Sequence, residues 1–256
     1  MSGLFYNLGR KVGPKVRKAR WMWQSVTGSE ADAIKVEYEV GLDLAREIRQ
    51  QLGREQSTGW PSPEPQTDQV LNEIGNRLAA CVANKSRRFS FETVKGPEPN
   101  AFALPGGFIF VTQSLVELCR YDQSEIACIL GHEMAHIIRG HAMNRIVRNS
   151  AIAAASRAAP IRGVLSGWLR KVGVQFIESA YSKDLESEAD RLGVRLVAAA
   201  GYEPGACVQL FSRLAKLNSP PSQFDLGSYF SSHPPFNVRI ENIKHQLRKY
   251  QQQAQP

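Results

Sequence analysis

The chain has 256 residues, of which 43% are hydrophobic and 22% are charged. This composition is typical of soluble globular proteins, and the length suits one large domain or two small ones. No apolar run is long enough to cross a bilayer, and the first residues lack the apolar core and cleavage site of a secretory signal. We therefore expect neither a transmembrane helix nor a signal peptide.

The net charge of +8 belongs largely to residues 1–29, which contain six basic and no acidic residues, whereas the rest of the chain carries +2. A nucleic-acid-binding enzyme places basic charge around its site, so we expect no nucleic-acid partner. Aromatic residues such as Trp21 and Trp23 accompany the basic ones. This combination favours an amphipathic segment that lies on an anionic membrane surface.

Residues 1–29 also fit two alternatives. A basic arm that is disordered or packs on the body has the same composition. An arginine-rich segment without acidic residues resembles a mitochondrial transit peptide. We therefore expect a cytoplasmic or peripheral membrane protein, with a mitochondrial location as the alternative. The sequence does not indicate the oligomeric state.

The next segments show first helical and then strand periodicity. In chain order they predict helix 29–54, proline-rich loop 59–65, helix 68–85, strand 89–93, a hairpin over 100–111 and helix 113–120. If the first hairpin strand is a sheet edge, four residues are placed to hold an extended peptide by backbone hydrogen bonds, namely Asn100, Ala101, Phe102 and Ala103. The alternative is a plain hairpin that closes a small sheet.

The central motif is His132-Glu133-Met134-Ala135-His136, an H-E-x-x-H pattern within a helix predicted from Asp122 to Arg145. Histidines four residues apart share one helix face, so both imidazoles reach one point, as two ligands of a tetrahedral Zn²⁺ must. Glu133 lies close enough to act on a metal-bound water. The alternative is two ordinary helix histidines. We interpret His141 as a helix-end residue.

The alanine-rich stretch after Arg145 has no clear period. Residues 152–181 combine apolar and basic side chains, which favours an amphipathic surface for an anionic membrane or a lid over the site. A pair of core helices is the alternative.

An acidic stretch then begins another helix, with Glu186 and Asp190 on one face. A carboxylate from a second helix completes a two-histidine zinc site and leaves one position for water. Asp190 is placed to accept the outer N–H of a ligating histidine. The alternative is that these acids only favour the positive end of the helix dipole.

The four cysteines are widely spaced and form no C-x-x-C motif; they are Cys81, Cys119, Cys128 and Cys207. We interpret them as buried free thiols in a reducing compartment, with a single disulfide as the alternative.

Five motifs follow one another along the chain: N-A-F-A-L-P-G-G at 100–107, G-H-E-M-A-H at 131–136, E-x-x-x-D at 186–190, G-Y-E-P at 201–204 and S-H-P at 232–234. Together they resemble the M48 family of zinc metallopeptidases, and the resemblance covers residues 68–245. The resemblance implies an α+β fold, a mainly helical zincin-type domain with a small antiparallel sheet beside the active-site helix. It implies one zinc ion per chain, bound by His132, His136 and Glu186, with Glu133 as the base.

The resemblance also implies a short family member without transmembrane helices. The expected organisation is a basic amphipathic segment (1–29), a helix and proline-rich loop (30–66), the metallopeptidase domain (67–250) and a polar tail (251–256). His233 resembles a histidine that approaches the active site in some members, which implies a regulatory or transition-state role. The alternative is a histidine that caps the adjacent Pro-Pro turn. Arg239 is expected to contribute charge or packing.

The predicted function is hydrolysis of peptide bonds in misfolded or membrane-associated proteins, with Glu133 activating a zinc-bound water. An alternative on the same fold is a latent or inactive quality-control protein of chaperone type. The presence of Glu133 argues against this alternative, because binding alone needs no general base.

Overall fold

The structure is a computed structural model that describes residues 29–56, 65–94, 99–149, 181–217 and 236–253. Within these ranges the elements are α1 (Glu30–Gln56), α2 (Pro65–Ala80), β1 (Ser90–Val94), β2 (Ala101–Leu104), β3 (Phe108–Thr112), α3 (Gln113–Leu118), α4 (Gln123–Ile138), α5 (His141–Asn149), α6 (Lys183–Ala199), α7 (Gly205–Leu217) and α8 (Phe236–Gln253). A short 3₁₀ turn, Pro105–Gly107, joins β2 to β3. Among the helices described, none has the length and hydrophobicity that a membrane crossing requires.

Some predictions concern residues outside these ranges. The basic segment up to residue 28, the stretch 150–180 and His233 lie outside the described residues. The membrane surface predicted for 1–29 and 152–181, the role of His233 and the domain boundaries therefore stay predictions.

The three strands form a sheet in the order β1-β3-β2. The predicted hairpin is confirmed, because β2 and β3 pair antiparallel with Ala103 opposite Ile109. The sheet is mixed rather than wholly antiparallel, since β1 pairs parallel to β3 with Phe91 beside Ile109. The chain reverses twice between β1 and β3, so these strands run in the same direction, and β3 lies between the other two.

The central strand β3 is buried on both faces. Ile109 and Val111 belong to the core that includes α2, α4, α6, α7 and α8, whereas Phe108 and Phe110 pack with α1. Successive side chains of a strand point to opposite faces, so β3 connects the two cores. The site-bearing helix α4 lies on the first of these faces and is buried from Glu125 to Ile137.

The helix predicted over Asp122 to Arg145 is two helices, which corrects that boundary. Asp122 caps α4, its Oδ1 accepting from the backbone N–H of Glu125 at 2.9 Å. The helix ends at Ile138, and Gly140 adopts a left-handed φ of +70° before α5 begins at His141. Glycine accepts this conformation without the penalty that a side chain brings.

The prediction of four free thiols is wrong for one pair. Cys128 on α4 and Cys207 on α7 form a disulfide, with their Cα atoms 5.4 Å apart. Cys119 is a buried thiol, and Cys81 is a half-buried one. The pairing depends on helix packing across a separation of 79 residues, which sequence spacing does not reveal. The cysteines therefore no longer support a reducing compartment.

Candidate metal centre

The site lies where α4 and α6 cross in direct backbone contact. A Cβ atom added to Gly193 of α6 would lie 3.0 Å from both the carbonyl carbon of Gly131 and the nitrogen of His132. A side chain at either glycine would therefore hold the helices apart. This contact brings the carboxylates of α6 next to the histidines of α4.

Three donor groups converge beside this crossing. The Nε2 atoms of His132 and His136 are 3.1 Å apart, and each lies 3.4 Å from an oxygen of Glu186. Among the described residues, these three are the group whose ligand atoms all come within 4.8 Å of one another. All three side chains are buried, with 0–2% of their surface exposed.

These separations can be compared with those that a metal ion requires. Zinc–nitrogen and zinc–oxygen bonds of about 2.1 Å in a tetrahedron place neighbouring ligand atoms about 3.4 Å apart. The observed separations of 3.1 to 3.4 Å agree with this edge length. Two imidazoles and one carboxylate are also a donor set that zinc commonly takes when one position is left for water. The residues present therefore fit a zinc ion.

The other ring nitrogen of His132 faces a buried ion pair. Asp190 Oδ1 lies 3.0 Å from His132 Nδ1 and accepts a 2.7 Å hydrogen bond from Arg239 Nη2. The guanidinium of Arg239 also lies over the ring of Phe211, 4.2 Å from its centroid. Because Asp190 accepts the Nδ1 proton of His132, the neutral form of this imidazole has its lone pair at Nε2, on the side of Glu186.

The pKa values show that this side of the site favours positive charge. Burial and the charge of Arg239 lower the pKa of His132, but the carboxylates of Asp190 and Glu186 outweigh them and raise it to about 9. Burial acts to raise the pKa of Asp190, yet Arg239 and His132 together lower it well below its ordinary value. Asp190 is therefore an anion throughout the neutral range.

Glu133 occupies the same buried region and has a different acidity. Burial raises its pKa to about 7, an effect that the charge of His132 opposes and that of Glu186 reinforces. Carboxylates with a pKa near the working pH both take and release protons readily. Both carboxylates are buried, but their surroundings raise the pKa of Glu133 and lower that of Asp190.

His136 is enclosed by two aromatic neighbours. The ring of Tyr181 stacks on it with centroids 4.0 Å apart, and the guanidinium of Arg145, on α5, lies 4.3 Å from the centroid of Tyr181. The Nδ1 atom of His136 is 3.1 Å from Nδ1 of His141. His141 is 3% exposed, and burial lowers its pKa to about 4 against the opposing charge of Glu188.

The predicted peptide-binding residues lie on the outer strand of the sheet. β2 contacts α4, and in the described part of the chain its only strand partner is β3. The carbonyl of Asn100 accepts from the N–H of Thr112 at 2.8 Å. Ala101 and Ala103 are buried, whereas Phe102 is half-buried and stacks on Phe110 with centroids 5.2 Å apart.

Sequence reasoning placed most of these residues but missed three contacts. Arg239 had no defined position, and it proves to be 1% exposed and paired with Asp190. Tyr181 is the last residue of the stretch predicted as an amphipathic surface or a lid, and its stacking on His136 was not predicted. His141, interpreted as a helix-end residue, instead begins α5 and contacts His136. Its spacing of five residues was the available signal, but a continuous helix places residues five apart on different faces.

The model of Peptidase family M48 matches residues 65–247. The chain is 27% identical over 223 residues to the mitochondrial metalloendopeptidase OMA1 of Schizosaccharomyces pombe, a match that covers 83% of this chain and 64% of that protein. It is 28% identical over 202 residues to a putative beta-barrel assembly-enhancing protease of Vibrio cholerae, and this match covers 73% of this chain and 40% of that protein.

A third relative is closer in length. The metalloprotease LoiP of Escherichia coli is 27% identical over 183 residues, covering 70% of this chain and 68% of that protein. The chain thus spans less than two thirds of the length of the first two relatives. The names of all three describe proteases, and the match covers the segment that carries the three converging donor groups.

Proposed function

The chain belongs to peptidase family M48, and on that premise we propose that it is a zinc-dependent endopeptidase. The proposed ligands are His132, His136 and Glu186, and the proposed base is Glu133. The observation that carries this proposal is the spacing of the three donor groups, 3.1 to 3.4 Å, next to a buried carboxylate with a pKa of about 7.

The proposed mechanism assigns proton transfer to one side chain. When bound, zinc supplies a Lewis acid that polarises the scissile carbonyl and lowers the pKa of water toward about 7. The carboxylate of Glu133 takes a proton from the attacking water and passes it to the leaving amine. Burial of Glu133 favours both transfers, because its pKa of about 7 makes the acid and the base forms similarly accessible.

Asp190 and Arg239 have a supporting role in this proposal. Asp190 holds the proton of His132 at Nδ1, so that Nε2 keeps its lone pair for the metal. Arg239 neutralises Asp190, which would otherwise be an unpaired buried anion beside a positively charged site. In this proposal the orientation of His132 therefore depends on an ion pair that does not touch the substrate.

The outer edge of β2 supports a peptide as the substrate. In an antiparallel pair, residues alternate between pointing their N–H and C=O toward the partner strand and away from it. Asn100 bonds to β3, so the next residue, Ala101, and then Ala103 point theirs away from β3. We propose that an extended peptide pairs with these two residues, beside the metal centre.

A segment must be locally unfolded to pair with a sheet edge, and we therefore include misfolded and membrane-associated proteins in the proposed substrate class. Contact of residues 1–29 and 152–181 with an anionic membrane remains part of the proposal, as does a regulatory or transition-state role for His233.

The decisive experiment combines metal analysis with hydrolysis of casein. We expect about one zinc ion per chain and cleavage by the wild type, zinc without cleavage for Glu133→Gln, and loss of zinc for Glu186→Ala. Glu241→Gln is the matched control, because its side chain is 67% exposed on α8. A wild type that binds no metal, or a Glu133→Gln variant that cleaves at the wild-type rate, would refute the proposal.

A further inference from the structure

His136 and His141 form a buried histidine pair on the side of the site opposite Asp190. Their Nδ1 atoms are 3.1 Å apart and their rings meet nearly edge to face, with an interplanar angle of 70°. The other ring nitrogen of His141, Nε2, lies 3.5 Å from Oε2 of Glu188. The second carboxylate oxygen of Glu188 is 3.1 Å from Nε of Arg139. The pair therefore continues to the surface as a chain of polar contacts.

We propose that His141 is a positioning residue for the metal: it accepts the Nδ1 proton of His136 and is itself oriented by Glu188. The inference rests on the proposed function, since it takes His136 as a zinc ligand. It concerns a residue that touches neither the metal nor the substrate.

The positions of the protons follow from the geometry. A neutral imidazole carries one proton, and a metal ligand must keep the lone pair of its coordinating nitrogen. Nε2 of His136 lies beside Glu186 at the proposed metal position, so with zinc bound at Nε2 its proton is at Nδ1. Nδ1 of His141 must then accept, which places the proton of His141 at Nε2, directed at the Glu188 carboxylate. One tautomer of each ring satisfies all these contacts.

The backbone turn after α4 is what makes the contact available. In a continuous helix a residue five positions after His136 would lie about 140° around the axis from it. The left-handed conformation of Gly140, with φ of +70°, ends α4 and turns the first residue of α5 back toward the site. The turn therefore brings His141 into contact with the ring of His136, which a residue at this position of a continuous helix would not reach.

The two histidines of the site are thus held differently. His132 donates to an anionic carboxylate that is paired with Arg239, whereas His136 donates to a neutral ring. A neutral acceptor fixes the orientation and tautomer of His136 without adding a second buried anion next to Glu186. Groups that orient metal ligands in this way typically contribute 10- to 100-fold to metal affinity.

The test compares two substitutions that fill similar space. In His141→Asn, the side-chain oxygen occupies roughly the position of Nδ1 and still accepts, whereas His141→Leu offers no acceptor. Zinc affinity is measured by chelator competition on metal-free protein, together with the visible spectrum of the cobalt-loaded protein. We expect about a 10- to 100-fold loss of zinc affinity and an altered cobalt spectrum for His141→Leu, and near wild-type values for His141→Asn.

Two further measurements separate positioning from folding. His245→Leu is the matched control, because His245 is exposed on α8. The melting temperature of each metal-free variant reports damage to the core. Equal losses of affinity in both His141 variants, or a loss that follows the melting temperature, would overturn the inference, and so would unchanged affinity in His141→Leu. If the wild type itself binds no zinc, it is the proposed function that fails.

Discussion

Replacing Gly193 by alanine sets two effects of opposite sign against each other at the crossing of α4 and α6. Alanine is a better helix former than glycine by about 1 kcal/mol, so propensity alone predicts a more stable protein. The added Cβ, however, would lie 3.0 Å from two backbone atoms of α4, the carbonyl carbon of Gly131 and the nitrogen of His132. Backbone atoms within a helix cannot rotate aside as a side chain does.

The size of the effect follows from these distances. Non-bonded carbon atoms prefer a separation of about 3.5–4.0 Å, so the crossing must widen by roughly 0.5 Å. Overpacking of this kind costs about 1–3 kcal/mol and the gain in propensity is about 1 kcal/mol, so we expect a net loss of stability of up to about 2 kcal/mol. The widening also moves His132 away from Glu186, and we expect at least about a 10-fold loss of zinc affinity.

Urea unfolding of the metal-free protein and chelator competition measure the two effects separately. Gly205→Ala is the matched control, because the nearest atom to its added Cβ is Oε1 of Glu203, at 3.0 Å, and this side chain can rotate away. We expect that control to stay within about 0.5 kcal/mol of the wild type. A Gly193→Ala protein that is at least as stable as the wild type and binds zinc equally well would refute the reasoning.

Three other perturbations test the surrounding structure. Arg239→Met leaves Asp190 as a buried anion, and we expect urea unfolding to show that the free energy of unfolding falls by about 3–5 kcal/mol. Adding Asp190→Asn should recover part of this loss. A loss below about 1 kcal/mol would contradict the ion-pair interpretation. Burial raises the pKa of Glu37 above its ordinary value of 4.5 although Arg87 opposes it, so the folded state favours the protonated carboxyl. The unfolding free energy of the wild type minus that of Glu37→Gln should therefore fall as the pH rises from about 4.5 through the raised pKa of Glu37, and it should level off above that pKa. If this difference stays flat or rises with pH, the pKa of Glu37 is not raised. The Cys128–Cys207 disulfide closes a separation of 79 residues, for which chain entropy predicts about 4.5 kcal/mol of stabilisation. Thiol titration of the denatured, unreduced protein should find two free thiols, whereas four would disprove the disulfide.

Local patterns in the sequence determined most of the elements. The capping residues Ser29 and Asp122 mark helix starts that the structure places at Glu30 and Gln123. The short apolar runs on either side of Pro105–Gly107 predicted the hairpin, and the four-residue spacing of the motif histidines put both rings on one face of α4. These features depend on patterns within a few residues and need no knowledge of distant partners.

Only the tertiary structure decided which distant groups meet. The direct contact of Gly131 with Gly193 brings α6 against α4, and it is this contact that places Glu186 within 3.4 Å of both motif histidines. The disulfide likewise required the packing of α7 on α4. Neither has a local signature, because a close approach of two helices depends on small residues far apart in the chain.

The boundary between α4 and α5 shows the same division. The sequence around Gly140 reads as one continuous helical pattern, and only the folded chain shows that the glycine adopts a left-handed conformation and turns His141 onto His136. Arg239 was expected to contribute charge or packing, and only the folded chain shows that it is buried against Asp190. The sequence by itself predicted which residues carry the chemistry, whereas tertiary packing decided which partners they contact, from His141 five positions after His136 to Arg239 49 positions after Asp190.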